Sequence, residues 1–151
     1  MKNVKRVLEN KGYAVYGVAP DDTVLVALSE MANKEVGALL VLEGGELIGI
    51  ISERDYARKV ILKGRFSKDT PVREIMSSQV VCVSPSQTVD VCMALMTEKH
   101  IRHLAVMEEG RLVGLISLGD VVKAIIDEQE FTIEQLEHYI TGRVRPRPTP
   151  P

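Results

Sequence analysis

The chain has 151 residues, enough for one domain or two small ones with a buried core, and its 45% hydrophobic and 26% charged content is that of an ordinary globular protein. A formal net charge of −2 argues against broad electrostatic binding to nucleic acid. The longest apolar runs are strand-length and broken by Gly, Glu or Arg, so none is fit to span a bilayer.

Val4, Val7, Leu8 and Lys11 follow helical spacing, and Gly12 is placed to close that helix. Ala14 to Val18 reads as a short strand ended by Pro20, and Asp21 or Asp22 as the cap of a helix carrying Val24, Ala27, Leu28 and Met31 on one face. Ala38 to Leu42 and Leu47 to Ile51 are apolar strands joined by Glu43-Gly44-Gly45-Glu46, a hairpin signature. A helix is predicted from Glu53 to about Leu62, then a polar linker over Lys63 to Asp69.

Thr70-Pro71 reads as N-cap and first residue of a short helix through Met76. A strand over Val80 to Val83, a helix from Thr88 to Lys99, a hairpin of His103 to Met107 and Leu112 to Ile116, and a helix from Leu118 to Asp127 follow. Thr132-Ile133-Glu134-Gln135 has the form of a capping box, predicting a separate last helix stopped by Gly142. Arg143 to Pro151, rich in Arg and Pro, is expected to be disordered.

The second series copies the first. A shift of about 65 positions sets Val18 on Val83, Pro20 on Pro85, Thr23 on Thr88, Met31 on Met96, Leu39 on Leu104 and Val41 on Val106, with about a third of positions identical. The string Gly49-Ile50-Ile51-Ser52-Glu53-Arg54-Asp55 returns as Gly114-Leu115-Ile116-Ser117-Leu118-Gly119-Asp120. The expected fold is α+β with α/β-like character: two βαββα repeats in a pseudo-twofold pair, sheet against sheet with helices outside, plus N-terminal and C-terminal helices. In chain order this gives an N-terminal helix with the first repeat over 1–68, the second repeat over 69–130, a helix over 131–142 and a tail over 143–151.

Gly49…Ser52…Asp55 and Gly114…Ser117…Asp120 match the mark of CBS domains, the cystathionine β-synthase type regulatory module, which the chain resembles from about Val7 to Asp127. The strings Ile51-Ser52-Glu53-Arg54-Asp55-Tyr56 and His100-Ile101-Arg102-His103-Leu104 resemble stand-alone members of that family. The resemblance implies a sensor binding adenosine-containing ligands (AMP, ADP, ATP, S-adenosylmethionine or NAD) between the repeats, dimerising, and acting in trans on a protein target. By the family's crossed arrangement, Tyr13, Val15, Gly17, Gly37 and Ala38 would join Leu115, Ser117 and Asp120. Ser78, Val80, Cys82, Ile101 and Arg102 would join Ile50, Ser52, Arg54 and Asp55.

One carboxylate can accept both hydroxyls of a ribose, and a charged acceptor strengthens each bond. Asp55 and Asp120 stand just inside predicted helix N-termini, where backbone N–H groups also favour an anion. Ser52 and Ser117 can donate to a ribose or phosphate oxygen, and Arg54 supplies a fixed fork for phosphate with Arg58 one turn on. The same Ser-x-x-Asp spacing is a helix-capping arrangement, and capping and binding are compatible. The copies differ in that Gly119 stands where Arg54 does, so a cation for the second site is expected from Arg102 or His103. Small Gly37 and Ala38 correspond to Arg102 and His103, which predicts unequal affinities for the two sites.

Other candidates carry less. His100 and His103, with Cys82 and Cys92, lack metal-ligand spacing. Cys92 aligns with Ala27 on a buried helix face, so it reads as core. Two cysteines are too few for a disulfide framework and no apolar stretch of signal-peptide length opens the chain, which fits a reduced cytoplasmic protein. No nucleophile–base order and no nucleotide-hydrolysing signature appear, so no enzymatic activity and no catalytic cofactor are expected. The competing reading is a dimeric scaffold without a functional small-molecule ligand.

Overall fold

The computed structural model describes residues 2–141. The helix stop expected at Gly142 and the tail over 143–151 lie outside these residues. Helix α1 (Val4–Lys11) starts at Asn3, whose side chain accepts from Arg6 N–H, and ends at Gly12, whose φ of +102° no side chain favours.

The first repeat consists of β1 (Gly17–Val18), α2 (Val24–Lys34), β2 (Ala38–Glu43), β3 (Glu46–Ser52) and α3 (Glu53–Lys59). The second consists of β4 (Cys82–Val83), α4 (Val89–Lys99), β5 (His103–Glu108), β6 (Arg111–Ser117) and α5 (Leu118–Thr141). In each, the short first strand pairs in parallel with the second, which pairs antiparallel with the third. The registers copy one another: Ala38 opposes Ser52 as His103 opposes Ser117, with a bulge after Val41 and after Val106. The duplication in sequence is thus a duplication in hydrogen-bond register.

Strand alternation divides the burial. Leu39 and Val41 join Ala27, Met31 and Ile51 in one helix-side core, while Leu104 and Val106 join Cys92, Met96 and Ile116 in the other. Leu40 and Ala105, pointing to the opposite sheet faces, are also fully buried. Both sheet faces are therefore covered, which is why these strands are apolar throughout.

The connecting segments cross. Helix α1 belongs by packing to the second repeat: Val4 N–H donates to the Gln87 carbonyl at 2.8 Å, and Val4, Val7 and Leu8 lie in the second core. The segment before the second repeat packs on the first, where Val72 N–H donates to the Asp22 carbonyl at 2.8 Å and Val72 and Ile75 enter the first core. The repeated glycines make room for this exchange. A Cβ on Gly49 would fall 2.6 Å from Met76 Sδ, and one on Gly114 would fall 2.7 Å from Leu8 Cδ2.

Several expectations are corrected. The strand predicted from Ala14 is only Gly17–Val18, and that from Val80 is only Cys82–Val83. Helix α2 is capped by Thr23, as α4 is by Thr88; the Asp22 carboxylate instead accepts from Ala19 N–H. Helix α3 ends at Lys59, followed by a 3-10 turn over Ile61–Lys63. Residues after Thr70 form only a 3-10 turn, Val72–Glu74, and the buried Thr70 hydroxyl donates to the Phe66 carbonyl at 2.8 Å rather than capping it. There is no separate last helix, because α5 runs unbroken to Thr141; the Thr132 hydroxyl donates back to the Glu128 carbonyl at 3.1 Å, a bond that a helix interior accommodates.

Candidate functional site

Each Ser–Asp pair sits where a β-strand turns into a helix. At the first, Ser52 Oγ accepts from Asp55 N–H at 3.2 Å, while Asp55 Oδ2 accepts from Ser52 N–H at 2.9 Å and from the Ser52 hydroxyl at 3.1 Å. At the second, Ser117 Oγ accepts from Asp120 N–H at 3.2 Å and Asp120 Oδ2 accepts from Ser117 N–H at 2.8 Å. Both are capping boxes, each satisfying two helix-end donors. The capping geometry holds both carboxylates in one orientation, half-buried at the mouth of a helix.

A lysine stands beside each acid. Lys59, one turn along α3, lies 3.3 Å from Asp55 Oδ1 and donates to the Ile75 carbonyl at 2.9 Å. Lys11, at the end of α1, donates to Asp120 Oδ2 at 2.7 Å and to the Leu115 carbonyl at 2.9 Å. Burial disfavours the Asp120 charge, but Lys11 and the Ser117 donors outweigh it and hold the carboxyl below its ordinary value. The ammonium that pairs with Asp120 is Lys11, delivered by the crossed helix, while Arg102 and His103 line the cleft beside Ser117. His103 itself is largely uncharged near neutrality: burial first, then Lys11 and Arg102, lower its pKa, against a smaller raising effect of Asp120. The acid-to-base spacing of Asp55 and Lys59 is legible in the sequence. Lys11 is not, since its counterpart in the other linking segment is Met76.

The predicted site residues divide among several places. Lys11 is bonded to Leu115 and Asp120, and the chain beyond it runs through exposed Tyr13 and half-buried Val15. Gly17 is in β1 opposite Leu40, Gly37 offers its carbonyl to Glu53 N–H at 3.1 Å, and Ala38 is buried opposite Ser52. A cleft of about 570 Å³ is lined by Arg102, His103 and Ser117, with Leu118, Gly119, Val122, Lys123 and Ile126. A second, of about 280 Å³, brings Arg54 of the first repeat to Ile101 and Arg102 of the second. There Arg54 Nη1 donates to the carbonyl of His100, the left-handed C-cap of α4. Ile50 exchanges backbone bonds of 2.9 Å with Ser77, which sets Ser78 beside β3. Ser78, Val80 and Cys82, however, open into a third cleft of about 690 Å³ between the hairpin tips at Gly45–Ile48 and Met107–Leu112, apart from Arg54. Arg58 is exposed on α3.

Cys92 is buried in the second core and Cys82 is exposed, and burial raises the pKa of both thiols. Among the described residues no group of three or more His, Cys, Asp or Glu side chains could hold a metal ion, and no helix is long and apolar enough to cross a membrane.

The family model "CBS domain" matches residues 13–62 and 72–127. The chain is 40% identical over 148 residues to the CBS domain-containing protein CBSX3, mitochondrial, of Arabidopsis thaliana, covering 92% of this chain and 72% of that protein. It is 35% identical over 121 residues to the CBS domain-containing protein YhcV of Bacillus subtilis, covering 80% and 84%. Among solved structures, a CBS-domain protein from Burkholderia ambifaria MC40-6 is similar with a TM-score of 0.83 and 50% identity, over 85% of this chain and 96% of that one. The CBS domain pair of protein MJ0100, in complex with 5′-methylthioadenosine and S-adenosyl-L-methionine, shares the fold at a TM-score of 0.75 and 20% identity, over 85% and 98%. Two matched repeats, the repeated Gly…Ser…Asp string and the repeated strand register agree, and the chain belongs to the CBS-domain family.

Proposed function

We propose that this CBS pair is a regulatory sensor that binds adenosine-containing anions (AMP, ADP or ATP) and acts in trans on a protein target, as a homodimer. The observation that carries the reading is the pair of half-buried carboxylates, Asp55 and Asp120, held alike by capping boxes. A carboxylate offers about four acceptor positions, so the fixed bonds to Asp120, both on Oδ2, are compatible with two ribose hydroxyls on Oδ1. Lys11 and Arg102 near Asp120, and Arg54, Arg58 and Lys59 near Asp55, favour phosphate-bearing ligands over the sulfonium of S-adenosylmethionine. NAD, with its adenosine and two phosphates, fits the same chemistry. The MJ0100 complex supports adenosine derivatives as the ligand class.

A ligand acts as a signal only if it favours one conformation of the pair. Residence in the cytoplasm belongs to the same proposal, while the relative CBSX3 is named as mitochondrial. Calorimetry of the full chain with AMP, ATP, NAD and S-adenosylmethionine tests it: heat with the nucleotides is expected, and no heat with any of the four overturns it.

One observation favours a second reading, a scaffold with no functional ligand. Lysines already neutralise both acids, and apolar side chains such as Leu25, Val26 and Val91 are exposed on α2 and α4. Protein purified from its native host carrying no nucleotide by mass spectrometry would support this alternative.

A further inference from the structure

We propose that the turn following α3 is a docking surface for an anionic lipid layer, on which the protein rests peripherally with Leu62 and Phe66 inserted among the headgroups. The duplication breaks at this turn. Residues 56–68 carry five cations, Arg58, Lys59, Lys63, Arg65 and Lys68, and no acid. The segment aligned with them, 121–133, carries Lys123 against Asp127, Glu128 and Glu130. The copies part in shape as well, since the first closes in a 3-10 turn at Gly64 and the second continues as helix α5.

The turn is ordered and stands out from the body. Val60 and Thr70 are buried at its two ends, and every residue from Ile61 to Phe66 is exposed. Lys63 and Arg65 N–H donate to the Val60 carbonyl at 3.2 and 2.9 Å, and Gly64 N–H, at a φ of +69°, to the Ile61 carbonyl at 3.1 Å. The Ser67 carbonyl accepts from Leu25 N–H at 3.0 Å, which ties the turn to α2. On this fixed backbone the Leu62 and Phe66 side chains are 76% and 67% exposed, more than any other large apolar side chain of the first repeat.

Charge sets the occupant. Lys59 and Arg65 are paired with Asp55 and Glu74 at 3.3 and 3.2 Å. Arg58, Lys63 and Lys68 are exposed and make no ion pair among the described residues. A basic cluster of this size with apolar residues between its members suits an anionic lipid surface, which attracts the cations and takes up the apolar side chains in the same layer. Lipid accommodates side chains that protrude, whereas an acidic protein segment would need pockets shaped for Leu62 and Phe66. The N–H groups of residues 63–65 are already bonded within the turn, so leaving water deprives them of no partner. Nothing in this depends on nucleotide binding at Asp55 or Asp120.

Co-sedimentation of the full chain with vesicles of phosphatidylcholine and phosphatidylglycerol at low salt is expected to show binding that phosphatidylcholine alone does not support and that added salt weakens. Lys63→Glu with Lys68→Glu, and separately Leu62→Ser with Phe66→Ser, should each lower the partition coefficient by at least about tenfold, with the far-UV circular dichroism unchanged. The chain contains no Trp, so Phe66→Trp installs a single reporter, whose emission should move to shorter wavelength with the anionic vesicles only. Absence of binding to anionic vesicles, equal binding to both vesicle types, indifference to either double variant, or an unmoved Trp emission would each overturn the proposal. So would a chain that ignores vesicles but binds a polyglutamate peptide through this turn, or one that loses self-association in the Leu62→Ser, Phe66→Ser variant, which would give the patch to an acidic segment or to a second copy.

Discussion

The Lys11 ammonium lies 2.7 Å from Asp120 Oδ2, joining the last residue of the first helix to the carboxylate at the start of the last helix, 109 positions away. The ion pair is about a quarter to a third exposed on each side, so its contribution to stability is modest. Lys11→Met, which installs the residue found at the equivalent position of the other linking segment, should cost no more than about 1 kcal/mol in denaturant unfolding. Calorimetry should show weaker phosphate-dependent binding at the Asp120 cleft and little change at Asp55. Loss at both sites alike would mean that Lys11 acts through the fold and not through the cleft.

Asp55→Ala and Asp120→Ala each remove a charged acceptor and one half of a capping box. Nucleotide affinity should fall by about 1.5–3 kcal/mol per site, roughly ten- to a hundredfold. Stability should fall by about 0.5–2 kcal/mol from the lost cap. Asn at either position keeps a capping oxygen while discarding the charge, so the stability cost should shrink and the binding cost remain. Parallel calorimetry and urea titration of the four variants separate the two effects.

Gly49→Ala and Gly114→Ala test the crossed packing. The new Cβ at Gly49 meets Met76 Sδ and, at 2.9 Å, the Ser77 carbonyl oxygen, a backbone atom that cannot yield. At Gly114 its three nearest atoms all belong to the Leu8 side chain. Both should destabilise by about 1–3 kcal/mol, Gly49→Ala more than Gly114→Ala. Adding Leu8→Val should recover part of the loss in the Gly114 variant and none in the Gly49 variant, measured by thermal melting.

His103 makes stability depend on pH. Burial and the neighbouring Lys11 hold its folded pKa below the ordinary 6.5, so the unfolded chain takes the proton first. Stability from this residue is complete above about 6.5 and declines as pH falls from there toward the folded value. Asp120, also lowered, adds stability above its ordinary 3.8 that is lost as pH falls through its folded pKa. His103→Gln should flatten the decline that begins as pH falls below about 6.5 and leave the limb due to Asp120 in place.

The repeat, both hairpins and both capping boxes were legible because they rest on local patterns: short continuous apolar runs, Gly at a turn, Ser three residues before Asp. Thr23 and Thr88 were equally visible as an aligned pair, yet the adjacent Asp22 competed for the cap and only the fold shows it bonded to Ala19 N–H. The capping-box pattern at Thr132 misled, since the helix already in progress satisfies those backbone groups. Lys11 could not be found from the duplication, because the two linking segments differ at that position. The third cleft likewise depends on how Ser77 pairs with Ile50, a register that no spacing in the sequence encodes.

The crossed segments also set an order of events during synthesis. The first core closes with Val72 and Ile75, so it can be completed as soon as Ile75 has emerged, before the second repeat is made. Helix α1, made before both repeats, has to remain unpaired until Val83, Leu104, Ile116 and Val121 follow. Its three buried side chains close a long loop, a contact of the kind that slows folding. A nascent chain arrested after the first repeat would therefore display a finished half and a bare apolar helix, the surface that a chaperone would meet first.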